Sequence, residues 1–257
     1  MVTRAFTDLL PKVLPSVPGC PQPLAIQHIR DAAIRTCERT LAWRYAQPTY
    51  NLLPGVHEYP YSKPMDTDVH VVFGAQVNGY PLTPMTLEQA LRSYPSWADM
   101  YSGIDPASIW SSVPTSGFNE SEYNGVTFNG GGGAITLPDE AFEDASEPRS
   151  FTQLTGDKYI VLPLPDNEKV YTIRMFYALK PKRTSTGMES AVLDELEEVI
   201  VHSALQHLLV IPNVVWTDRE LASYHARQAL FVTTERRARA NLGNMRGTLV
   251  AYAPKFA

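Results

Sequence analysis

The sequence predicts an α+β protein: a helical bundle built from N- and C-terminal helices, with an inserted, mainly antiparallel β domain. Apolar residues recur at intervals of three and four near both ends of the chain, as in amphipathic helices. The middle of the chain is rich in proline and holds short apolar runs typical of strands. We therefore expect residues 1–46 and 187–257 to form a helical domain with a C-terminal tail, and residues 47–186 to form the β-rich domain.

Composition excludes several classes of protein. A chain of 257 residues with 44% hydrophobic and 19% charged residues can bury one large core or two modest ones. The net charge of −5 gives no global reason to expect nucleic-acid binding. Only Cys20 and Cys37 could form a disulfide, which excludes a disulfide framework and favours a reducing compartment. The N-terminus lacks the apolar run of a signal peptide, and we expect a soluble protein made in a cytosol.

The N-terminal segment predicts two helices. The run TRAFTDLL (3–10) predicts a short helix stopped by Pro11. A long helix follows over 22–45, with prolines suited to its first turn. Its apolar stripe, in which Cys37 has a core role, is Ile26, Ile29, Ala33, Cys37 and Leu41. Its opposite face carries Arg30, Asp31, Arg35, Glu38 and Arg39. Because Asp31 and Arg35 are four residues apart on this face, we expect them to attract each other.

The middle of the chain predicts short strands, one helix and a long loop. We expect strands at 69–73 and 76–77, followed by a turn at Asn78-Gly79. Thr86 suits the N-cap of a short helix that ends near Tyr94-Pro95. Residues 102–147 are polar and glycine-rich and predict an exposed loop.

The two most apolar strand patterns are KYIVLPLP (158–165) and KVYTIRMFYALKP (169–181). Asp166-Asn167 between them predicts a hairpin that pairs the two strands.

Two further helices are predicted near the C-terminus. Apolar periodicity predicts the first over 189–210, closed by Pro212. Thr217 and Glu220 have the spacing of a capping box that starts the second, and Gly243 marks its end. The residues expected on the inner side of this second helix are Leu221, Tyr224, Gln228, Phe231 and Ala238.

The candidates for catalysis and metal binding are weak. His28 and Cys37 lie about 13 Å apart along one helix and cannot form a nucleophilic pair. His202 and His207 are separated by about 140° around a helix and do not share a metal ion. The glycine run at 129–134 lacks the lysine of a phosphate-binding loop. We expect no cofactor, no metal and no enzyme activity, although a carboxylate pair assembled by the fold stays open.

Charge is distributed unevenly along the chain. The C-terminal segment from Arg227 is basic, whereas 139–147 holds five acidic residues and no basic one. Opposite charges on one molecule suit docking to different partners or head-to-tail packing of copies. An ordinary solvated helix face, or arginines beside a DNA channel, are the other interpretations.

Several segments resemble head-to-tail adaptor proteins of tailed, and in particular short-tailed, bacteriophages, also called connector or tail tubular proteins. These segments cover most of the chain in order: PGCPQPLAIQHIRDAAIRTCERTLAW, VNGYPLTPMT, PRSFTQLTGDKYIVLPLPD, TIRMFYALKP and LDELEEVIVHSALQHLLVIPNVVWTDRELASYHARQALF. The loop at 102–147 departs from the family pattern and is longer than such proteins usually have.

The resemblance implies a structural virion protein of the neck or tail, synthesised in the host cytoplasm. About twelve copies would form a ring that joins the portal to the tail nozzle or tail tube and surrounds passing double-stranded DNA, which it contacts without sequence specificity. Because the sequence has no run of about 18 consecutive apolar residues, we also expect no membrane contact. The candidate portal-docking residues are Arg236, Arg239, Arg246, Tyr252, Lys255 and Phe256. The candidate subunit-interface residues are Arg30, Arg35, Arg39, Asp194 and Glu198.

Two other functions stay open at the level of sequence. The first is a phage DNA-binding or DNA-processing protein that uses the basic C-terminal helix, for which salt-sensitive binding to duplex DNA would be the sign. The second is a subunit of the tail nozzle or tube, which should assemble with itself in the absence of a portal.

Overall fold

The chain folds as an α+β protein. The computed structural model describes residues 2–54, 56, 58–94, 146–155 and 157–242. The α-helices of these residues are α1 (Leu10–Val13), α2 (Gln22–Thr40), α3 (Leu87–Ser93), α4 (Ser190–Leu209) and α5 (Arg219–Leu242). Their strands are β1 (Thr3–Ala5), β2 (Arg44–Ala46), β3 (Tyr50–Asn51), β4 (Glu58–Pro60), β5 (Thr67–Val77), β6 (Tyr80–Pro84), β7 (Ser150–Thr155), β8 (Lys158–Leu162), β9 (Thr172–Pro181) and β10 (Gly187–Glu189).

The strands form two sheets. Strands β1 and β10 pair alone, and the larger sheet has the order β2-β9-β5-β6-β7-β8-β4, with β3 also paired to β9. The pairs β5–β6, β7–β8 and β4–β8 are antiparallel, whereas β6 and β7 are parallel. The larger sheet is therefore mixed.

The chain divides into two compact units. Unit 1 comprises Met1–Arg44, Met65–Asp68 and Ala178–Ala257, and unit 2 comprises Tyr45–Pro64 and Val69–Tyr177. In unit 1 the helices α2, α4 and α5 contact one another pairwise. In unit 2 a chain of neighbouring tyrosine rings, spaced by centroid distances of 5.0–6.1 Å, lies among the strands: Tyr45, Tyr177, Tyr61, Tyr159, Tyr59 and Tyr50.

The predicted helix over 3–10 is wrong in its first part. Thr3–Ala5 forms strand β1, in which Ala5 lies opposite Gly187. A 3-10 helix then covers Phe6–Leu9, and α1 begins at Leu10. Pro11 does not stop a helix here. It lies in the first turn of α1, where its missing N–H is not needed.

The helix predicted over 22–45 is confirmed in its first nineteen residues and ends earlier than expected. Leu41 adopts a left-handed conformation (φ 53°), and its amide donates to the Cys37 carbonyl oxygen at 3.0 Å. Beyond this residue the chain no longer follows the helix, and the Trp43 carbonyl accepts from the Leu179 amide at 2.8 Å. The core role of Cys37 is confirmed, because its side chain is completely buried.

The turn at Asn78-Gly79 is confirmed. Both residues have positive φ, as a two-residue hairpin turn of this kind requires, and they join β5 to β6. The break expected after Phe73 is wrong, because β5 runs without interruption to Val77. The helix capped by Thr86 is confirmed as α3, where the Thr86 hydroxyl accepts from the Gln89 amide at 3.2 Å.

The hairpin expected at Asp166-Asn167 is wrong. Strand β8 ends at Leu162 and pairs with β7 and β4, whereas β9 lies between β2 and β5 in the sheet. Pro163 and Pro165 have no amide hydrogen to donate to a neighbouring strand. The chain therefore leaves the sheet after β8 and returns at a distant position.

The helix predicted over 189–210 is confirmed as α4, but the start of α5 differs from the prediction. The carboxylate of Asp218 accepts from the amides of Glu220 (3.0 Å) and Leu221 (2.9 Å), so Asp218 is the N-cap. Thr217 instead donates its hydroxyl hydrogen to loop carbonyls, including that of Ile211 at 2.6 Å. The predicted capping box is therefore wrong.

The predicted inner side of α5 is also wrong. Tyr224 and Phe231 are 46% and 70% exposed. The residues of α5 that are buried instead are Ala222, His225, Ala229 and Val232. These small or medium side chains let α5 approach α4 closely, and the larger side chains remain outside. Residues 102–145, Gly243 and the tail at 248–257 lie outside the described residues, so the predictions on them are untested.

Candidate functional site

The charged face of α2 contains three of the predicted interface arginines. Arg30 is half-buried and donates to the Arg183 carbonyl oxygen at 3.1 Å. Arg35 is exposed and contacts His207 of α4. The attraction that we expected between Asp31 and Arg35 produces no ion pair between them. Arg39 is exposed and has no hydrogen-bond or ion-pair partner in the described part of the chain.

A pocket of about 160 Å³ opens beside these arginines, where α2, α4 and α5 meet. Two guanidinium groups, one imidazole and several neutral polar groups line it, and we call it the basic pocket. Its residues are Arg35, Thr36, Arg39, Ser203, Gln206, His207 and Thr233. No carboxylate is among these lining residues.

Electrostatics in the basic pocket disfavour a further positive charge. Burial, and next the positive charge of Arg35, hold the pKa of His207 below its ordinary value. His28 and Arg39 act in the same direction, and Asp31 opposes them only weakly. Because a guanidinium can only donate, the Nε2 atom of His207 accepts from Arg35 and carries no proton. The pocket is thus a region of positive potential around a neutral imidazole.

The predicted interface carboxylates differ in their surroundings. Asp194 pairs with Arg4 at 2.5 Å, although its side chain is 60% exposed. Arg4 also reaches Glu197 at 3.2 Å, and Lys12 pairs with the same carboxylate. The hydrogen bond from Lys12, followed by that from Arg4, holds the pKa of Glu197 below its ordinary value despite burial. Glu198 is exposed on the neighbouring turn.

Of the predicted portal-docking residues, the structure describes Arg236 and Arg239. Arg236 is half-buried and lies 4.0 Å from the carboxylate of Glu195. Arg239 is exposed and pairs with Glu235 one turn earlier in α5. Arg246, Tyr252, Lys255 and Phe256 lie outside the described residues.

The same helix has an exposed apolar surface that the sequence did not lead us to expect. Tyr224 and Phe231 lie two turns apart on α5, and Leu230, which is 66% exposed, lies beside Phe231. We call these three residues the α5 apolar surface. Leu230 lies about 100° around the helix from Phe231, and large apolar side chains that are exposed this close together often mark a contact with another protein.

A histidine pair between α4 and α5 was also missed. The Nδ1 atoms of His202 and His225 are 2.7 Å apart, and the rings are 5.0 Å apart between centroids. One imidazole must donate and the other accept, so at least one of the two nitrogens is unprotonated. Burial, and next the neighbouring His202, hold the pKa of His225 below its ordinary value. The sequence spacing of 23 residues gave no signal for this pair.

Within the described ranges, no group of three or more histidine, cysteine, aspartate or glutamate residues could hold a metal ion. Of the helices that the structure describes, none combines the length and the apolar character needed to cross a bilayer. Comparison with protein-family models and with curated proteins finds no match to this chain.

Proposed function

We propose that this chain is a head-to-tail adaptor of a tailed bacteriophage, a structural virion protein of the neck that joins the portal to the tail. The order of the resembling segments along most of the sequence supports this proposal. The structural observation that carries it is the α5 apolar surface. Burying Tyr224, Leu230 and Phe231 against a neighbouring copy or the portal would remove a large apolar area from water.

In this proposal about twelve copies form a closed ring. The helices α2, α4 and α5 form a bundle that builds the ring, and residues 47–186 form the inserted, mainly antiparallel β domain. The pairwise packing of the three helices supports the bundle. Arg35, Arg39 and Glu198 are exposed and therefore accessible to a neighbouring subunit. Ring closure multiplies modest contacts, so no single interface has to be strong.

The proposed partners are the portal protein on one side and the tail nozzle or tail tube on the other, with double-stranded DNA passing through the ring. Docking to the portal is assigned to the end of α5 and the tail that follows it. This assignment rests on Arg236 and Arg239 together with the predicted residues of the tail.

The proposal is tested by negative-stain imaging of the protein mixed with the portal of the same virus, with each alone as a control. A collar of about twelve copies on one end of the portal is expected. Rings or tubes formed without the portal would instead identify a tail subunit. Absence of assembly together with salt-sensitive binding to duplex DNA would identify a DNA-binding protein.

A matched pair of variants tests the α5 apolar surface itself. Leu230→Ser combined with Phe231→Ser removes apolar area from side chains that are 66% and 70% exposed, so folding should be nearly unaffected. Val170→Ser makes a similar change at a 69% exposed position of unit 2. We expect the double variant to lose the collar and the Val170 variant to keep it. Collars of equal occupancy would contradict the role of this surface.

A further inference from the structure

We infer that the basic pocket between α2, α4 and α5 binds an oxyanion of the phosphate class. This site goes beyond the adaptor proposal and does not depend on it, because it rests on the side chains of a single chain. We reach it in three steps, from the charge of the pocket, its free hydrogen-bond donors and its size.

The first step is charge. Arg35 and Arg39 lie four residues apart on α2, where like charges repel each other. His207 faces them from α4, and Thr233 contributes a neutral side chain from α5. In the described part of the chain neither arginine forms an ion pair with a carboxylate. A bound anion would supply the negative charge that the pocket lacks.

The second step is the supply of donors. Arg39, Ser203 and Gln206 have side chains with no hydrogen-bond partner in the part of the chain that the structure describes. Arg35 uses one N–H group on His207 and keeps others free. Thr233 donates its hydroxyl hydrogen to the Ala229 carbonyl and can only accept. Guanidinium forks next to hydroxyl and amide donors suit the several oxygens of a phosphate.

The third step is size. The pocket measures about 160 Å³, roughly ten times the ~10–15 Å³ that a cavity needs to hold one water by the same kind of measure. It therefore has room for a phosphate group with some of its hydration water. The side chains fix the chemistry of the ligand but not its carrier, which is either a small phosphate compound or the backbone of a nucleic acid.

The experiment measures binding of inorganic phosphate to the full chain by titration calorimetry, with chloride at matched ionic strength as the reference. The variant Arg35→Gln with Arg39→Gln removes both guanidinium groups. Because each charge-assisted hydrogen bond counts for about tenfold in affinity, we expect a loss of about 100-fold. Arg227→Gln, an exposed arginine of α5 that does not line the pocket, is the matched control and should bind as the unchanged protein does.

Each outcome decides the inference. Phosphate binding that disappears in the Arg35/Arg39 variant and persists in the Arg227 variant supports the site. A short DNA duplex tested in parallel then distinguishes the carriers, since a backbone ligand requires duplex binding with the same dependence on the two arginines. No phosphate binding by the unchanged protein overturns the inference. Binding of a glutamate-rich peptide in place of phosphate also overturns it, because the pocket would then be a carboxylate site.

Discussion

Replacing Gly187 with alanine tests the pairing of β1 with β10, which ties the N-terminus to the start of α4. A Cβ atom at this position would lie 2.3 Å from the Arg4 carbonyl oxygen and 3.1 Å from the Ala5 Cα, whereas ordinary contacts begin at 3.4 Å. All the atoms in conflict belong to the backbone and cannot rotate away. The two strands would have to separate by about 1 Å.

The size of the effect follows from what that separation breaks. Overpacking of this kind costs about 1–3 kcal/mol. Two hydrogen bonds adjoin the pair: Phe6 donates to the Thr186 carbonyl at 3.0 Å, and Ser190 donates to the Val2 carbonyl at 2.9 Å. The strain falls on these bonds, each worth about 0.5–1.5 kcal/mol, so their weakening is part of the overpacking cost and is not added to it. We expect the free energy of unfolding of unit 1 to fall by about 2 kcal/mol, which is roughly a 30-fold change in the unfolding equilibrium.

The thiol of Cys37 reports this change locally, because it belongs to unit 1 and is completely buried. Burial raises the pKa of Cys37 to about 12, so the folded protein offers almost no reactive thiolate at pH 8. In a Cys20→Ala background, labelling by a disulfide reagent should be about 30-fold faster in the Gly187→Ala protein when opening is at equilibrium. Gly74→Ala is the control, because its new Cβ would meet no atom within 4 Å. Equal labelling rates in the two proteins would refute the reasoning.

Three further changes test the buried thiol, the histidines and the C-terminal tail. Cys37→Ser should lower the free energy of unfolding by about 1–3 kcal/mol if the buried hydroxyl finds no partner, which chemical denaturation would measure. The variant should still assemble, as imaging would show. Loss of assembly in a folded variant would contradict a core role. The pKa values of His28, His207 and His225 are lowered in the folded chain, chiefly by burial. Below about pH 6.5 the unfolded chain therefore binds protons at these histidines that the folded chain does not bind. The free energy of unfolding should decrease from pH 7 to pH 5. A free energy of unfolding that does not change over this range would exclude the linkage. Truncation after Gly243 should leave a folded protein that no longer attaches to the portal; retained attachment would rule out docking by the tail.

Local sequence signals predicted those elements whose causes are local. The apolar period of α4 is regular over twenty residues, and the helix was found within one residue of its true ends. The Asn78-Gly79 pair determines its turn, because few other residues tolerate positive φ at both positions. Thr86 and Gln89 form their capping box from side chains three residues apart. In each case the interacting groups lie close together in the sequence.

The predictions of the buried face of α5 and of the pairing between β8 and β9 were wrong because the residues were equally compatible with two arrangements. On α5 the large residues Tyr224 and Phe231 were expected inside, but close packing against α4 favours the face with Ala222 and Ala229. Strands β8 and β9 are adjacent in sequence and strongly apolar, yet neither pairs with the other. Which strand lies beside which is decided by long-range packing, and short-range spacing carries no information about it.

The candidate sites likewise combine features that local sequence determines with features that long-range packing determines. The sequence by itself identified the charged face of α2, because Arg35 and Arg39 recur with the helical period. Only the tertiary structure brought His207, Ser203 and Thr233 to that face and made it a pocket. It likewise brought His202 to His225 across two helices. A helix period places residues on one face of one element, whereas a site built from three helices depends on their packing, which is set by the shapes of all the buried side chains together.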